Sequence, residues 1–280
     1  MKNLPGIRSW SKIHNSQMNP NISASKINLF NADIPMFVMN YGIGQRSESP
    51  PAAVRGIVIE DAVASVLQGR RSIDESIIKA CERFVQVFYA LQNDSHKQYN
   101  LIRPMIELSC EALKDYGIPI FNPDGTQEKI EYTLKQDTWK IPVVGFLDFV
   151  FPNGKIIDLK TTTRCPSVMS LSHQIQRAIY QTARPDHEVE FLYVTPKKFQ
   201  FLSDGDVPSL MDIIKTTVKR MDTFCSLMTP QQAAMSIPIN PDSFYWRDQY
   251  TLERIYNEQT MTKPKTKRKT KTKTLEKMEL

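Results

Sequence analysis

The 280 residues are 41% hydrophobic and 24% charged, the balance of a globular chain long enough to bury a sizeable core. No run approaches the length of apolar sequence a membrane span needs, so no membrane partner is expected. The opening MKNLPGIRSWSKIHNSQMNP lacks the apolar stretch of a secretory signal, so the expected setting is cytoplasmic (cytosol or nucleus, or the host cytoplasm for a viral protein). The net charge of +6 is concentrated at one end: residues 261–280 hold eight basic and two acidic side chains, and the other 260 residues hold 28 of each sign. Cys81, Cys110, Cys165 and Cys225 form no CxxC pair, so the reading is four inert thiols in a reducing compartment, with no zinc site or disulfide framework.

In chain order, residues 1–20 are polar and read as an irregular arm. Ser23 or Ser25 is placed to cap a short helix, which Pro35 should interrupt, and 42–53 is a Gly/Ser/Pro-rich loop. Apolar residues at helical spacing predict helices over 54–67, 72–92 and about 97–116. The pattern then changes. EKIEYTLKQ (128–136) alternates as a half-buried strand does, and IPVVGFLDFVF (141–151) and KIIDLKTTT (155–163) flank an Asn153-Gly154 turn. A helix over 173–184 ends at Pro185, strands follow over 189–196 and 199–202, and an amphipathic helix covers 211–228. The implied organisation is the arm, then one domain over 21–262 (helical part 21–127, sheet core 128–203, helical part 204–262). A basic tail, 263–280, has too few apolar residues to bury a core and is expected to be disordered.

The two strands joined by Asn153-Gly154 each carry an acid among apolar neighbours, Asp148 and Asp158. Such carboxylates are costly unless paired, and a hard divalent cation with oxygen ligands would pair both. Lys160, two residues beyond Asp158, points to the same side of its strand. A metal-binding acid and an ammonium facing one reaction centre suit phosphodiester hydrolysis, in which the metal lowers the pKa of a bound water and the lysine stabilises developing charge.

VVGFLDFVFPNGKIIDLKTTT, followed by Gln176-Arg-Ala-Ile-Tyr180, resembles the core motif of the PD-(D/E)XK nucleases, in their RecB-like and phage exonuclease branch. The resemblance covers 140–195 well and 22–65 loosely, through ISASKINLF and Gly56-Ile57-Val58-Ile59-Glu60. It implies a restriction-endonuclease-like α/β fold, a mixed central sheet flanked by helices. It also implies a catalytic set of Asp148, Asp158, Lys160 and Glu60. One or two Mg²⁺ or Mn²⁺ ions would be held by Glu60, Asp148, Asp158 and the backbone carbonyl of Leu159. Glu60 stands where relatives carry His or Glu, and the adjacent Asp61 is an alternative ligand. Relatives with an iron–sulfur cluster carry one early and three late cysteines; Ala32 stands at the early position and Cys225 alone lies late, so no cluster is expected.

Substrate contacts are expected from Gln176 and Tyr180, with Thr161, Thr162 and His173 beside them. A buried Tyr180 capping the core, a helix-start role for His173 and plain strand propensity at the threonines are the competing readings. Lys263, Lys265, Lys267, Arg268 and Lys269 read as an electrostatic tether for DNA, or alternatively as a localisation or solubilising tail. The expectation is a metal-dependent deoxyribonuclease, an exonuclease in recombination, repair or viral genome processing, acting on ends of single- or double-stranded DNA. A recombination or single-strand-binding protein is a candidate partner. Structure- or site-specific endonuclease, and a non-catalytic DNA-binding module, are the alternatives.

Overall fold

A computed structural model describes residues 4–12, 18–45, 49–88, 93–122, 127–136, 139–240 and 242–246. The basic tail, with Lys263 to Lys269, lies outside them. The chain divides into two compact units, Met1–Ile237 and Pro238–Leu280; the described part of the second contains a 3₁₀ turn, Phe244–Trp246.

The first unit opens with helices α1 (Pro5–Ser11), α2 (Ala24–Ala32) and α3 (Ile34–Phe37), the last running into a π-helical stretch, Val38–Ile43. Next come α4 (Pro51–Leu67), α5 (Ile73–Val87), α6 (Asn93–Asn100) and α7 (Ile102–Leu113). The sheet region is β1 (Glu128–Gln136), β2 (Trp139–Leu147), β3 (Phe149–Val150), β4 (Lys155–Thr161), α8 (Leu171–Ala183), β5 (Glu188–Val194) and β6 (Phe199–Leu202). Helices α9 (Val207–Leu227) and α10 (Pro230–Ser236) close it. This is a mixed α/β fold with a helical first half, as expected. None of the described helices is long and apolar enough to cross a membrane.

Several boundaries differ from the sequence reading. The arm is not wholly irregular. Within it Pro5–Ser11 is helical, because Ile7 and Trp10 are buried and Asp222 of α9 accepts from the Ile7 amide at 3.0 Å. Burying each side chain contributes on the order of 2–3 kcal/mol, enough to order a helix too short to stand alone. Helix α2 stops at Asp33 and not at Pro35: Asp33 is extended, caps α3 from its own side chain, and leaves Pro35 in the first turn, where a missing N–H costs little. The 42–53 loop is shorter than expected, since helix reaches Ile43 and resumes at Pro51. The helix expected over 97–116 is two, α6 and α7, with a 3₁₀ turn at the end.

The largest difference is that the strand expected over 141–151 is broken at Asp148. β2 pairs antiparallel with β1 as a separate hairpin, whereas β3 opens the four-stranded sheet β3-β4-β5-β6. In that sheet β4 and β5 run parallel and the other pairs antiparallel. The β3–β4 turn is a Pro152-Asn153-Gly154 loop, with Gly154 at φ 81° and Phe151 N–H donating to the Lys155 carbonyl at 2.8 Å. That backbone angle is the reason for glycine here.

The sheet separates two apolar cores. One gathers α1, α2, α8, α9 and the β1–β2 hairpin; the other gathers α4, α5 and α7. Residues alternate between them along each central strand: Ile156, Val189, Phe191 and Tyr193 face the first, and Ile157, Leu159, Leu192 and Val194 the second. That is the two-residue period of a strand buried on both faces.

Candidate active site

The alternation along β4 places Asp158, wholly buried, on the face toward α8. Lys160, two residues on, lies on the same face, and its Nζ forms an ion pair with Asp158 Oδ1. The β3–β4 ladder pairs Phe149 with Ile157; one further step sets Asp148 opposite Asp158. Asp148 is thus where the long strand leaves one sheet for the other, and its Oδ2 accepts the Leu159 amide at 2.9 Å. That bond fixes Asp148 against the strand carrying Asp158 and Lys160.

Glu60 arrives from α4. Arg55, buried one turn earlier, ties this helix to the end of β4, donating through Nη2 to the Thr161 carbonyl at 3.1 Å and to Thr161 Oγ1 at 3.3 Å. Gln127 joins the acids: its amide donates to Glu60 Oε1 and, at 2.9 Å, to Asp148 Oδ1. Asp61 instead pairs with Arg83 of α5, so Glu60 is the acid that shares a partner with Asp148. Nothing in the sequence singles out Gln127; it precedes β1 without periodicity or motif.

From α8, Gln176 donates to Asp158 Oδ2 at 2.8 Å and to the Tyr180 hydroxyl at 2.7 Å. Tyr180 in turn donates to the Phe146 carbonyl at 2.7 Å. The two lie one helical turn apart on one face, and they brace Asp158 on β4 against the β1–β2 hairpin. The remaining expected residues are less central. Thr162 Oγ1 donates to the Arg164 carbonyl at 3.1 Å, a local turn. His173 Nδ1 lies 2.6 Å from the Tyr193 hydroxyl, beside Phe191, over whose ring Lys160 Nζ also sits at 5.2 Å.

The electrostatics follow from crowding. Burial, then the charge of Asp158, pushes Glu60 up to about 7, with Lys160 opposing. Burial, then Asp158 and Glu60, pushes Asp148 well above the usual carboxylate range. Burial raises Asp158 too, against the pull of Lys160. For Lys160, burial alone would lower the pKa, but Asp158 and Asp148 outweigh it and the net direction is up. Burial, then Lys160, holds His173 down near 4, so it is neutral at pH 7.

Glu60, Asp148, Gln176 and Tyr180 line a cavity of about 700 Å³, as do Ser23 and Ser25 at the amino end of α2. Among the described residues no three His, Cys, Asp or Glu side chains form a ready metal-binding group; donors from Gln127 and Lys160 link the carboxylates instead. The donor set nevertheless fits a hard divalent cation. Three carboxylates crowd round one ammonium, and the buried Asp158 Oδ1 has Lys160 as its partner, a charge that leaves the acids in excess.

Gly145 explains how Tyr180 reaches its place. A Cβ there would lie 2.8 Å from the Tyr180 ring and 3.2 Å from Ile130. Gly145→Ala should therefore displace the ring and cost about 1–3 kcal/mol as overpacking. Urea denaturation measures it, and an unchanged midpoint would show that the ring has room to move.

No family model and no curated protein matches the chain. Among solved structures, SSO0001 covers 59% of this chain and 84% of its own, at 15% identity and a TM-score of 0.34. A "Putative exonuclease" from Eubacterium rectale covers 81% of this chain and 87% of its own, at 14% identity and a TM-score of 0.42. Likenesses this distant carry no argument about what the chain does.

Proposed function

We propose that the chain is a divalent-metal-dependent nuclease hydrolysing phosphodiester bonds of DNA, and specifically an exonuclease. The observation that supports this most is the meeting of Asp148, Asp158 and Lys160. Asp148 is bonded to the Leu159 amide, between the two other residues, and Lys160 is ion-paired to Asp158. Asp148 lines a large cavity, with Glu60 also on its wall.

Mg²⁺ or Mn²⁺ would be held by Glu60, Asp148 and Asp158, with the Leu159 carbonyl, and would supply an activated water and charge on the phosphate. The chain's own contribution is placement. Lys160 presents an ammonium from a wall formed by Phe191, where charge developing on a phosphate oxygen is stabilised. Gln176 holds the orientation of Asp158, and Tyr180 locks Gln176 to the hairpin. Gln127 keeps Glu60 and Asp148 together before a cation arrives. The lysine-rich tail would add affinity for the DNA backbone without sequence preference.

End-labelled linear DNA and closed circular DNA, incubated with Mg²⁺ or with chelator, test the reading. The expected result is metal-dependent loss of label from linear DNA and intact circles. Nicked circles would make it an endonuclease. Binding without cleavage, in every metal tried, would refute nuclease action.

A further inference from the structure

A second, smaller cavity of about 80 Å³ lies between α4 and α5. Arg71, Ser76, Lys79 and Arg83 are among the residues that line it. The volume is that of roughly two or three waters, suited to one tetrahedral oxyanion. Three cations face it against one acid, Asp61, which pairs with Arg83. Lys79 also reaches Glu82 at 2.7 Å, and Arg71 Nη1 lies 3.4 Å from Ser65 Oγ. The first is an exposed pair of small worth and the second a long hydrogen bond, and an anion with several acceptor oxygens can redirect both cations.

Ser76 is the independent observation. It is 1% exposed, yet its Oγ has no hydrogen-bond partner among the described residues. A buried hydroxyl left unmade costs stability, and this one belongs to a residue that lines the pocket together with Arg71, Lys79 and Arg83. The amino end of α5 is not the donor here, because its Ser72–Glu75 capping box already uses it.

Position gives the pocket a meaning. Asp61 lines both this cavity and the large one containing Glu60, Asp148 and Tyr180. We propose that the α4–α5 pocket is a second phosphate-binding site, in which Arg71, Lys79, Arg83 and Ser76 hold a phosphate group beside the catalytic cavity. On the nuclease reading, on which this part rests, the group is a backbone phosphate of the substrate strand, away from the scissile bond; a free phosphate ion offers the same chemistry.

The test uses the full chain and three proteins: wild type, the Arg71→Gln/Lys79→Gln double variant, and Ser76→Ala. One arm titrates inorganic phosphate in chelator at fixed ionic strength and follows the melting temperature. The other measures KM and kcat on single-stranded oligonucleotides with Mg²⁺. The expected result is a phosphate-induced rise in the wild type that the double variant loses and Ser76→Ala reduces. KM of the double variant should rise about tenfold with kcat unchanged, the scale of one charge-assisted contact. Without phosphate, Ser76→Ala should melt no lower than wild type, which separates an orphan hydroxyl from a structural one.

Loss of the phosphate response with unchanged KM would assign the pocket to free phosphate. A wild type that cleaves no DNA, but whose phosphate response the double variant loses, would sink the nuclease reading and keep the pocket. No phosphate response in the wild type, or variants matching it in both arms, overturns the proposal.

Discussion

Lys160→Ala is expected to lower the rate of DNA cleavage by about 10²–10³-fold, the usual cost of losing one preorganised charge from a site of this kind. The loss should fall on kcat, since the ammonium is aimed at charge that appears during reaction. The same change should lower stability measured in chelator. Asp158 is wholly buried and Lys160 is the charge against its Oδ1, so removing the ammonium strands a carboxylate at a cost of about 3–5 kcal/mol. A divalent cation should return part of that stability without returning activity. Wild-type cleavage by a folded Lys160→Ala protein would remove Lys160 from the chemistry.

The second large effect is a dependence of stability on pH that the cation reverses. Glu60 is held near 7 in the folded protein against an ordinary value of 4.5. A carboxyl whose folded pKa is raised keeps its proton more tightly in the native state. Stability is then highest at or below about pH 4.5 and falls as pH rises through 7. Asp148, raised for the same reasons, acts in the same direction. In chelator the melting temperature should therefore be lower at pH 8 than at pH 5.5. Saturating Mg²⁺ or Mn²⁺ at ~100 times its Kd adds about 2.7 kcal/mol, and the gain should be large at pH 8 and small at pH 5.5, where protons compete. Glu60→Gln keeps an acceptor for Gln127 and removes the charge; it should raise stability in chelator at pH 8 and blunt the response to metal. Equal metal shifts at both pH values would show that these acids do not bind the ion.

Much of this arrangement was legible in the residues. Alternation alone gave β1 its limits at Glu128 and Gln136, and spacing alone put Asp158 and Lys160 on one side of a strand. Gln176 reaches Asp158, and Tyr180, four residues on, bonds Gln176 and the Phe146 carbonyl. What local sequence could not show was tertiary. The apolar run from Ile141 to Phe151 has no signal for a break, because Leu147 and Phe149 are both buried, though in different cores; only the partner strands reveal that Asp148 sits at the junction. Helix α1 exists because Trp10 and Ile7 find α9 more than 200 residues away. Glu60 and Asp61, adjacent in sequence, are told apart only by their partners, Gln127 for one and Arg83 for the other. Gln127 and Ser76 carry no motif and become visible only through what they touch or fail to touch.

The alternation of β4 between two cores constrains how this gene can change. Substitution at Ile157 or Leu159 alters packing on the far face and leaves the acid and the ammonium where they are. Adding or deleting a single residue between Lys155 and Ile157 is different in kind: with Lys155 kept opposite Glu188, it turns Asp158 toward α4, α5 and α7 and puts leucine or isoleucine in its place. Frame-preserving indels, harmless in a surface loop, should be purged from these three codons, and the strand's length should tolerate less change than its apolar letters.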